Sequence, residues 1–354
     1  MSGLTLHLDV DRWRRHLRAE AGSTPGLVPV IKGNGYGFGL RRLAEESALL
    51  GVDTIAVGLP SEVDQVRDAF GKTVVILNPW DAHLPLAVEL AEDPQVLTTV
   101  SRLQDLAALA DLETRPRVLV EVLTSMRRHG IAPTDLDRVA LLADRVRIEG
   151  WSLHLPLRQQ GRSAEAESLA RAALAALPAP LWFSHLPPGE AAVLASDLAA
   201  PGAPPVPLRL RSGTQLWLGD PGSRHTTATV LDVHEVSRGM RVGYRQRPCL
   251  SDGYVVVVAG GTSHGVGLEA PTSASSLRQR AVALTSGGLE AAGRALSPYT
   301  IAGRKRWFLE PPHMQSSQVF LPGNATPPSL GDEVPVEVRL TTVTVDQIVP
   351  THAP

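Results

Sequence analysis

An α/β chain in which a (β/α)8 barrel is followed by a mostly-β domain is the fold class that this sequence predicts, and three observations predict it. Residues 28–211 alternate eight short, nearly continuous apolar runs with amphipathic stretches. Runs of that kind suit strands covered on both faces, and the intervening stretches suit the helices that cover them. After Gly219 the pattern changes to strands and turns with little helix. A length of 354 residues leaves room for two domains.

The elements follow in order. Leu-Thr-Leu-His-Leu-Asp-Val (4–10) reads as a first strand. The eight runs lie at 28–32, 54–58, 73–77, 96–100, 117–122, 147–154, 181–185 and 207–211, and include Thr-Val-Val-Ile-Leu and Arg-Val-Leu-Val-Glu-Val. Helices are predicted at 40–50, 61–70, 101–111, 134–144, 163–177 and 190–199, with Ser61, Ser101, Thr134 and Ser163 standing where an N-cap is wanted. Eight strands with interleaved helices close naturally as a barrel, and an open doubly wound sheet is compatible with the same alternation. Asp-Pro-Gly-Ser (220–223) breaks the chain. The segments 227–236, 254–259, 306–309 and 334–345 then read as strands, and 274–297 as one helix. The barrel is therefore assigned to 11–222 and the β-domain to 223–354, joined by the strand 4–10.

Composition narrows the function. Hydrophobic residues make up 43%, charged residues 20%, and the net charge is −2, as in ordinary globular enzymes. The arginines are spread along the chain and form no basic patch, so no nucleic-acid partner is expected. No apolar stretch approaches about 18 residues, so no membrane span is expected. The opening Met-Ser-Gly-Leu-Thr-Leu-His lacks a cationic region followed by an apolar run, so a cytoplasmic location is the expectation. Cys249 is the only cysteine, which rules out an intrachain disulfide and a Cys-based zinc cluster. The 11 histidines have no metal-ligand spacing, and no metal is expected.

One residue carries most of the chemistry. The basic residues number 34, and only Lys32, Lys72 and Lys305 are lysines. Arginine does the solvating, so a lysine delivered by an apolar strand into a glycine-rich loop needs a separate reason. Its amine can lose a proton and attack a carbonyl, which arginine does not do. A surface lysine beside a glycine turn is the plain alternative.

Val-Ile-Lys-Gly-Asn-Gly-Tyr-Gly-Phe-Gly (30–39) resembles the Val-Val-Lys-Ala-Asn-Ala-Tyr-Gly-His-Gly signature of the alanine racemases, with Phe38 in place of the histidine. Residues 4–10 and Gly-Val-Asp-Thr-Ile-Ala-Val-Gly-Leu-Pro-Ser-Glu-Val (51–63) are similar to that family's first strand and to its second barrel strand with the helix that follows. The resemblance implies pyridoxal 5'-phosphate as cofactor, joined to Lys32 as a Schiff base.

Barrel enzymes build their sites at the C-terminal ends of the strands. Lys32, Tyr36, His154, Ser184, His185 and Arg211 all stand at or just after such ends, and Gly213 and Thr214 follow Arg211. A cofactor with an aldehyde, a phosphate, a phenolic oxygen and a pyridine nitrogen matches that set. By the resemblance, Arg211 meets the pyridine nitrogen. Tyr36, Ser184, His185 and the backbone amides of Gly213 and Thr214 meet the phosphate. Glu-Val-Leu-Thr-Ser-Met-Arg-Arg-His-Gly-Ile (121–131) is similar to Lys-Val-Asp-Thr-Gly-Met-Gly-Arg-Leu-Gly-Ile, which makes Arg128 the contact to the phenolic oxygen and the substrate carboxylate. Many family members carry a carbamylated lysine where this chain has Glu121. Both are anions that can hold an arginine, so Glu121 is expected to orient Arg128.

Arg-Gly-Met-Arg-Val-Gly-Tyr-Arg (238–245) resembles the segment holding the family's catalytic tyrosine, which acts across a dimer, and Tyr244 is the match. Met314, in Pro-Pro-His-Met-Gln, resembles the methionine whose backbone amide meets the substrate carboxylate. Two segments depart from the family. Leu123 and Ser125 replace an aspartate and a glycine, and Ala-Gly-Gly-Thr-Ser-His-Gly (259–265) replaces Gly-Tyr-Ala-Asp-Gly, bringing in His264. The expectation is a homodimeric racemase for a small amino acid, alanine first. The alternatives are a relative acting on another amino acid, a pyridoxal phosphate binder that does not racemise, and a scaffold with a vestigial site. A scaffold needs neither Lys32 nor Tyr244.

Overall fold

The computed structural model describes residues 3–157, 160–268 and 295–351. The chain divides into two compact units, Arg14–Asp220 and Met1–Trp13 with Pro221–Pro354. The expected helix at 274–297 lies almost wholly outside the described residues.

Strand β1 (Leu4–Asp9) and helix α1 (Val10–Ser23) open the chain. The barrel strands are β2 (Leu27–Pro29), β3 (Thr54–Val57), β4 (Thr73–Ile76), β5 (Val96–Val100), β6 (Arg117–Val122), β7 (Arg147–His154), β8 (Leu181–Ser184) and β9 (Leu208–Ser212). The helices between and after them are α2 (Leu40–Leu49), α3 (Val63–Phe70), α4 (Pro85–Ala91), α5 (Leu103–Ala110), α6 (Asp137–Ala140), α7 (Arg162–Ala176), α8 (Pro188–Asp197) and α9 (Thr214–Leu218). All eight strands are parallel, in the order β2-β9-β8-β7-β6-β5-β4-β3. The ring closes between β2 and β3 through a Val30–Ala56 bridge, where the Ile31 N–H donates to the Ala56 carbonyl at 2.7 Å. A closed parallel barrel is the observed architecture, and the open doubly wound alternative is excluded.

Side-chain alternation sorts two cores. Val28, Val30, Ala56, Val75, Leu97, Leu119 and Trp182 pack together inside the ring. The intervening residues Val118, Val120, Val122, Trp151, Leu153, Leu181, Phe183 and Leu210 face the helices and join a larger cluster with Leu106, Leu109, Val139 and Ala170. The strands are thus covered on both faces, which is why they read as unbroken apolar runs.

Several expected details differ. None of Ser61, Ser101, Thr134 and Ser163 caps a helix with its side chain. Ser61 lies in a 3-10 turn, Pro60–Glu62, ahead of α3. The Ser101 hydroxyl donates to Glu121 instead, and that of Ser163 to Glu190. The helix expected at 134–144 shortens to a 3-10 turn, Pro133–Asp135, and the four residues of α6. Leu141 beyond it is 82% exposed, and only Leu142 of the second half packs against the core, which leaves that half little apolar burial to stabilise it. Helix α4 occupies the interval between β4 and β5, where the alternation calls for one, and α9 follows the last barrel strand.

In the other unit, β10 (Arg224–Val236), β11 (Arg241–Val242), β12 (Arg247–Pro248), β13 (Gly253–Ala259), β14 (Leu296–Ile301), β15 (Arg304–Phe308), β16 (Ser316–Pro322), β17 (Glu333–Pro335) and β18 (Gln347–Thr351) complete the strands. The main sheet runs β14-β15-β16-β13-β10-β1-β18, with β17 paired to β10. Its core includes Leu4, Val230, Val256, Val258, Tyr299, Ile301, Val319 and Leu321. Strands β11 and β12 form a separate hairpin.

Candidate active site in the barrel mouth

Inside the barrel the alternation that gives an apolar floor also builds the site above it. Val30, Leu119 and Trp182 belong to the floor, and two residues further along each strand direction stand Lys32, Glu121 and Ser184. His154 ends β7, and Arg211 lies on β9 beside Ser184 in register. The sequence-predicted barrel residues therefore gather at one end of one ring.

Glu121 is 3% exposed and is the anion of this layer. It accepts a hydrogen bond from the Ser101 hydroxyl at 2.8 Å, and its Oε1 lies 3.8 Å from Nη2 of Arg128. That separation is an ion pair without a direct hydrogen bond. Arg128 itself is half-exposed, on a loop closed at its base by the Leu123 N–H to Ile131 carbonyl and Ile131 N–H to Glu121 carbonyl bonds. Ser125 anchors the same loop by donating from both backbone and hydroxyl to Glu165, at 2.6 and 2.8 Å.

Arg211 has Nε and Nη2 shut off from solvent with no hydrogen-bond partner. Buried guanidinium donors left unpaired are costly, so they mark a place where an acceptor belongs. Burial lowers the pKa of Arg211, Glu121 opposes that, and Arg128 adds to it.

Lys32 is solvent-accessible at the mouth. Partial desolvation lowers its amine below the usual lysine range, helped by Arg128 and Arg211 and opposed by Glu62. His154 is pushed down to about 3 by burial and by Arg211, Arg128, His185 and Lys32. The His185 imidazole is lowered by burial and by Arg211, Arg162, Lys32 and Arg128. The two rings meet edge to face, with centroids 5.1 Å apart. Both histidines are therefore neutral near pH 7, and the fixed positive charge comes from the arginines.

Tyr36 is buried and its phenol is raised to about 12 by desolvation. Gly213 permits its approach, because a Cβ there would lie 2.1 Å from the Tyr36 hydroxyl oxygen. Thr214 begins α9, held by a Trp217 indole N–H bond to the Val30 carbonyl at 2.8 Å. Among the described residues six non-glycine residues have positive φ, and three of them (Tyr36, Arg127 and His185) sit in loops of this mouth. Strain of this kind concentrates where function over-determines the backbone.

Sequence reasoning missed Glu62. It is 7% exposed and accepts the N–H groups of Gly33 at 2.7 Å, Gly58 at 2.6 Å and Leu59 at 3.0 Å. One carboxylate thus ties the loop after Lys32 to the end of β3. The signal was its position three residues after Leu59, with Pro60 opening the turn between them.

Tyr244 and Met314 lie in the β-rich unit. Tyr244 is 85% exposed, in the turn between β11 and β12. The Met314 carbonyl accepts from the Ser263 N–H and hydroxyl. The divergent run 259–265 leaves the end of β13 through a 3-10 turn, Thr262–His264, latched by His264 Nε2 to Asp346 Oδ1 at 3.1 Å. Among the described residues no cluster of three His, Cys, Asp or Glu side chains has the geometry to hold a metal, and no helix is long and apolar enough to cross a membrane.

The comparisons with known proteins point one way. The alanine racemase of Nitratidesulfovibrio vulgaris is 27% identical over 282 residues, 70% of this chain and 72% of that protein. The alanine racemase of Campylobacter concisus is 25% identical over 118 residues, and there the chain spans only 32% of the relative's length. The match to alanine racemase 2 of Oceanobacillus iheyensis, at 29% identity, likewise spans 32% of that protein. The structure of alanine racemase from Bartonella henselae, with covalently bound pyridoxal phosphate, superposes with a TM-score of 0.73 at 17% identity, covering 99% of this chain and 100% of that one. The alanine racemase of Clostridium difficile 630 gives 0.71 at 14% identity, covering 99% and 96%. Those identities speak for the fold, and the closed barrel with a β-rich unit is that fold. The family model for the alanine racemase N-terminal domain matches residues 8–189, more than half of the sequence and all but the last strand of the ring, and on that match the chain belongs to the alanine racemase family.

Proposed function

We propose that this chain is a pyridoxal-phosphate-dependent amino-acid racemase that interconverts L- and D-alanine, with Lys32 and the Tyr244 of a partner subunit as its two acid–base groups. The observation that carries the reading is the barrel mouth. There a lysine amine of lowered pKa stands among arginines, one of which has dry, unpartnered donors.

The residues fit the cofactor. The orphaned Nε and Nη2 of Arg211 suit a pyridine nitrogen lone pair, and a guanidinium that keeps its proton disfavours protonation of that nitrogen. Arg128 suits the phenolic oxygen. Tyr36, Ser184, His185 and the amides of Gly213 and Thr214 suit the phosphate. His154, neutral near pH 7, offers a hydrogen bond without adding charge. Pyridoxal phosphate, when bound, supplies an aldehyde that condenses with an amine and a ring that acidifies the α-proton.

The chain's own residues supply the rest. Lys32 holds the cofactor and then moves a proton at one face of Cα, its lowered pKa keeping more of the amine neutral. Tyr244 moves a proton at the other face, so one group removes and the other returns it. Arg128 and the Met314 backbone amide hold the substrate carboxylate, and Glu121 orients Arg128. Two bases drawn from two subunits make a cytoplasmic homodimer part of the proposal. So is the division of labour between residues 11–222 for the cofactor and 223–354, with strand 4–10, for the second base.

A second reading, racemisation of another amino acid, is favoured by the loop 259–265, which is latched through His264 to Asp346 and replaces a segment that shapes substrate entry in the family. One experiment tests both. The protein with pyridoxal phosphate is incubated in D2O with each common amino acid in turn, and deuterium at Cα is measured. Alanine exchanging fastest, with exchange and the cofactor's visible band both lost in K32A, is the expected result. Exchange only with another amino acid transfers the proposal to that substrate. No cofactor band in wild type, or exchange that survives K32A, overturns it.

A further inference from the structure

The turn that carries Tyr244 rests on a buried carboxylate. Glu310 is 5% exposed. Its Oε1 accepts a hydrogen bond from Nε2 of His313 at 2.7 Å. Its Oε2 receives the Arg245 N–H at 3.5 Å. Gly243, at φ +72°, has room for no side chain, because a Cβ there would lie 2.5 Å from the same carboxylate. Glu310 therefore sits against both residues that flank Tyr244. The His313 ring meets Tyr244 itself, with centroids 4.7 Å apart and planes tilted by 52°.

The imidazole is held firmly. Its backbone N–H donates to the Ser316 carbonyl at 2.9 Å, and its carbonyl accepts from Thr262 at 2.8 Å. Pro311 and Pro312 separate it from Glu310 and stiffen the link. An ionised carboxylate only accepts, so Glu310 fixes the ring proton on Nε2 and the orientation of the plane on which the phenol rests.

We infer that Glu310 and His313 are positioning residues for Tyr244. The buried carboxylate sets the imidazole, and the imidazole sets the phenol, which would otherwise swing freely at an exposed hairpin tip. This rests on the reading of Tyr244 as the second acid–base group. A proton transfer depends steeply on where its donor stands. Loosening Tyr244 therefore slows the steps at its own face of Cα and leaves those of Lys32 alone.

The test uses E310Q, H313Q and Y244F in the full-length holoenzyme with L- and D-alanine as probes, together with tyrosine labelled with 13C at Cζ. The sequence has four tyrosines, and Y244F assigns the resonance. The expected result for E310Q and H313Q is a loss of roughly 10- to 100-fold in kcat with KM within about 3-fold. The Cα-deuterium isotope effect should rise in one direction of racemisation only, and the Tyr244 resonance should shift. H313Q changes a partly exposed side chain, so it remains informative if E310Q misfolds. An unmoved Tyr244 resonance in both variants overturns the inference whatever the substrate. If Y244F is inactive while both variants keep wild-type rates and symmetric isotope effects, the inference alone falls. If Y244F racemises like wild type, both it and the role given to Tyr244 fall.

Discussion

Replacing Glu62 by Gln tests how the Lys32 loop is held. In the wild type Oε1 takes the Gly33 N–H at 2.7 Å, while Oε2 takes Gly58 at 2.6 Å and Leu59 at 3.0 Å. Glutamine has one oxygen and one NH2. Its better orientation keeps the oxygen on the two-donor side and turns the NH2 toward the Gly33 N–H, donor against donor. A buried donor left unsatisfied costs about 1–3 kcal/mol, and losing charge assistance at the other two bonds costs about 1 kcal/mol each. The sum is about 3–5 kcal/mol, and relaxation of the loop brings the expected loss to about 3 kcal/mol. Urea denaturation of the cofactor-free protein measures it. A second readout concerns Lys32. Glu62 is the group that raises its pKa against desolvation, Arg128 and Arg211. Removing the charge lowers that pKa further, so the pH midpoint for labelling Lys32 with an amine-reactive reagent moves down. A stability loss under about 1 kcal/mol, with a midpoint that stays or rises, refutes the reasoning.

Three further outcomes are expected. Gly213→Ala drives a methyl into the Tyr36 hydroxyl and costs about 1–3 kcal/mol by thermal melting; the same change on a Y36F background costs less, and strict additivity would contradict the contact. Glu121→Gln removes the anion between Ser101 and Arg128 and is expected to weaken pyridoxal phosphate binding by roughly 10-fold; unchanged affinity and turnover would speak against an orienting role. His154 titrates at about 3 when folded, against about 6.5 unfolded. The unfolded chain then binds the extra proton between those values, so stability falls as pH drops from about 6.5 toward 3. H154N should flatten that slope in urea midpoints measured at pH 7.5, 5.5 and 4.5.

The barrel was legible because its strands are buried on both faces. Val118 and Val120 face the helices while Leu119 faces inward, so the run reads as one apolar block. Lys32 and Arg211 stood out by type, as charges ending such blocks, and Glu121 as a carboxylate inside one. The helix starts were misread because a hydroxyl near a helix can serve something else, as Ser101 serves Glu121. Glu62 and Glu310 escaped notice for a related reason. Each stands close to proline at the end of an apolar stretch, and part of its worth comes from backbone groups distant in sequence. Gly33 is 29 positions from Glu62, and Arg245 is 65 from Glu310. The turn at Leu59–Glu62 is a local signal for Glu62, but neither of these long-range partnerships has one.

The site and the barrel core depend on one another through the two-residue period of the strands. Val30 and Lys32, Leu119 and Glu121, and Trp182 and Ser184 are paired steps up three strands, from a dry floor to a polar rim. Shifting any strand by one residue would bury its polar rim residue among the helices and turn its apolar residues the wrong way, so the register that fills the core also sets which side chains reach the rim. The floor adds more than packing. An apolar layer beneath the mouth removes water from one side of every ionisable group above it. Desolvation is the leading cause of the lowered pKa at Lys32, His154, His185 and Arg211 alike. The arginines then amplify that effect by mutual repulsion, and only Glu62 and Glu121 oppose it, at Lys32 and Arg211 respectively. The lowered pKa of Lys32 is accordingly a property of the barrel interior as a whole, and substitutions in the floor should alter it without touching any residue of the rim.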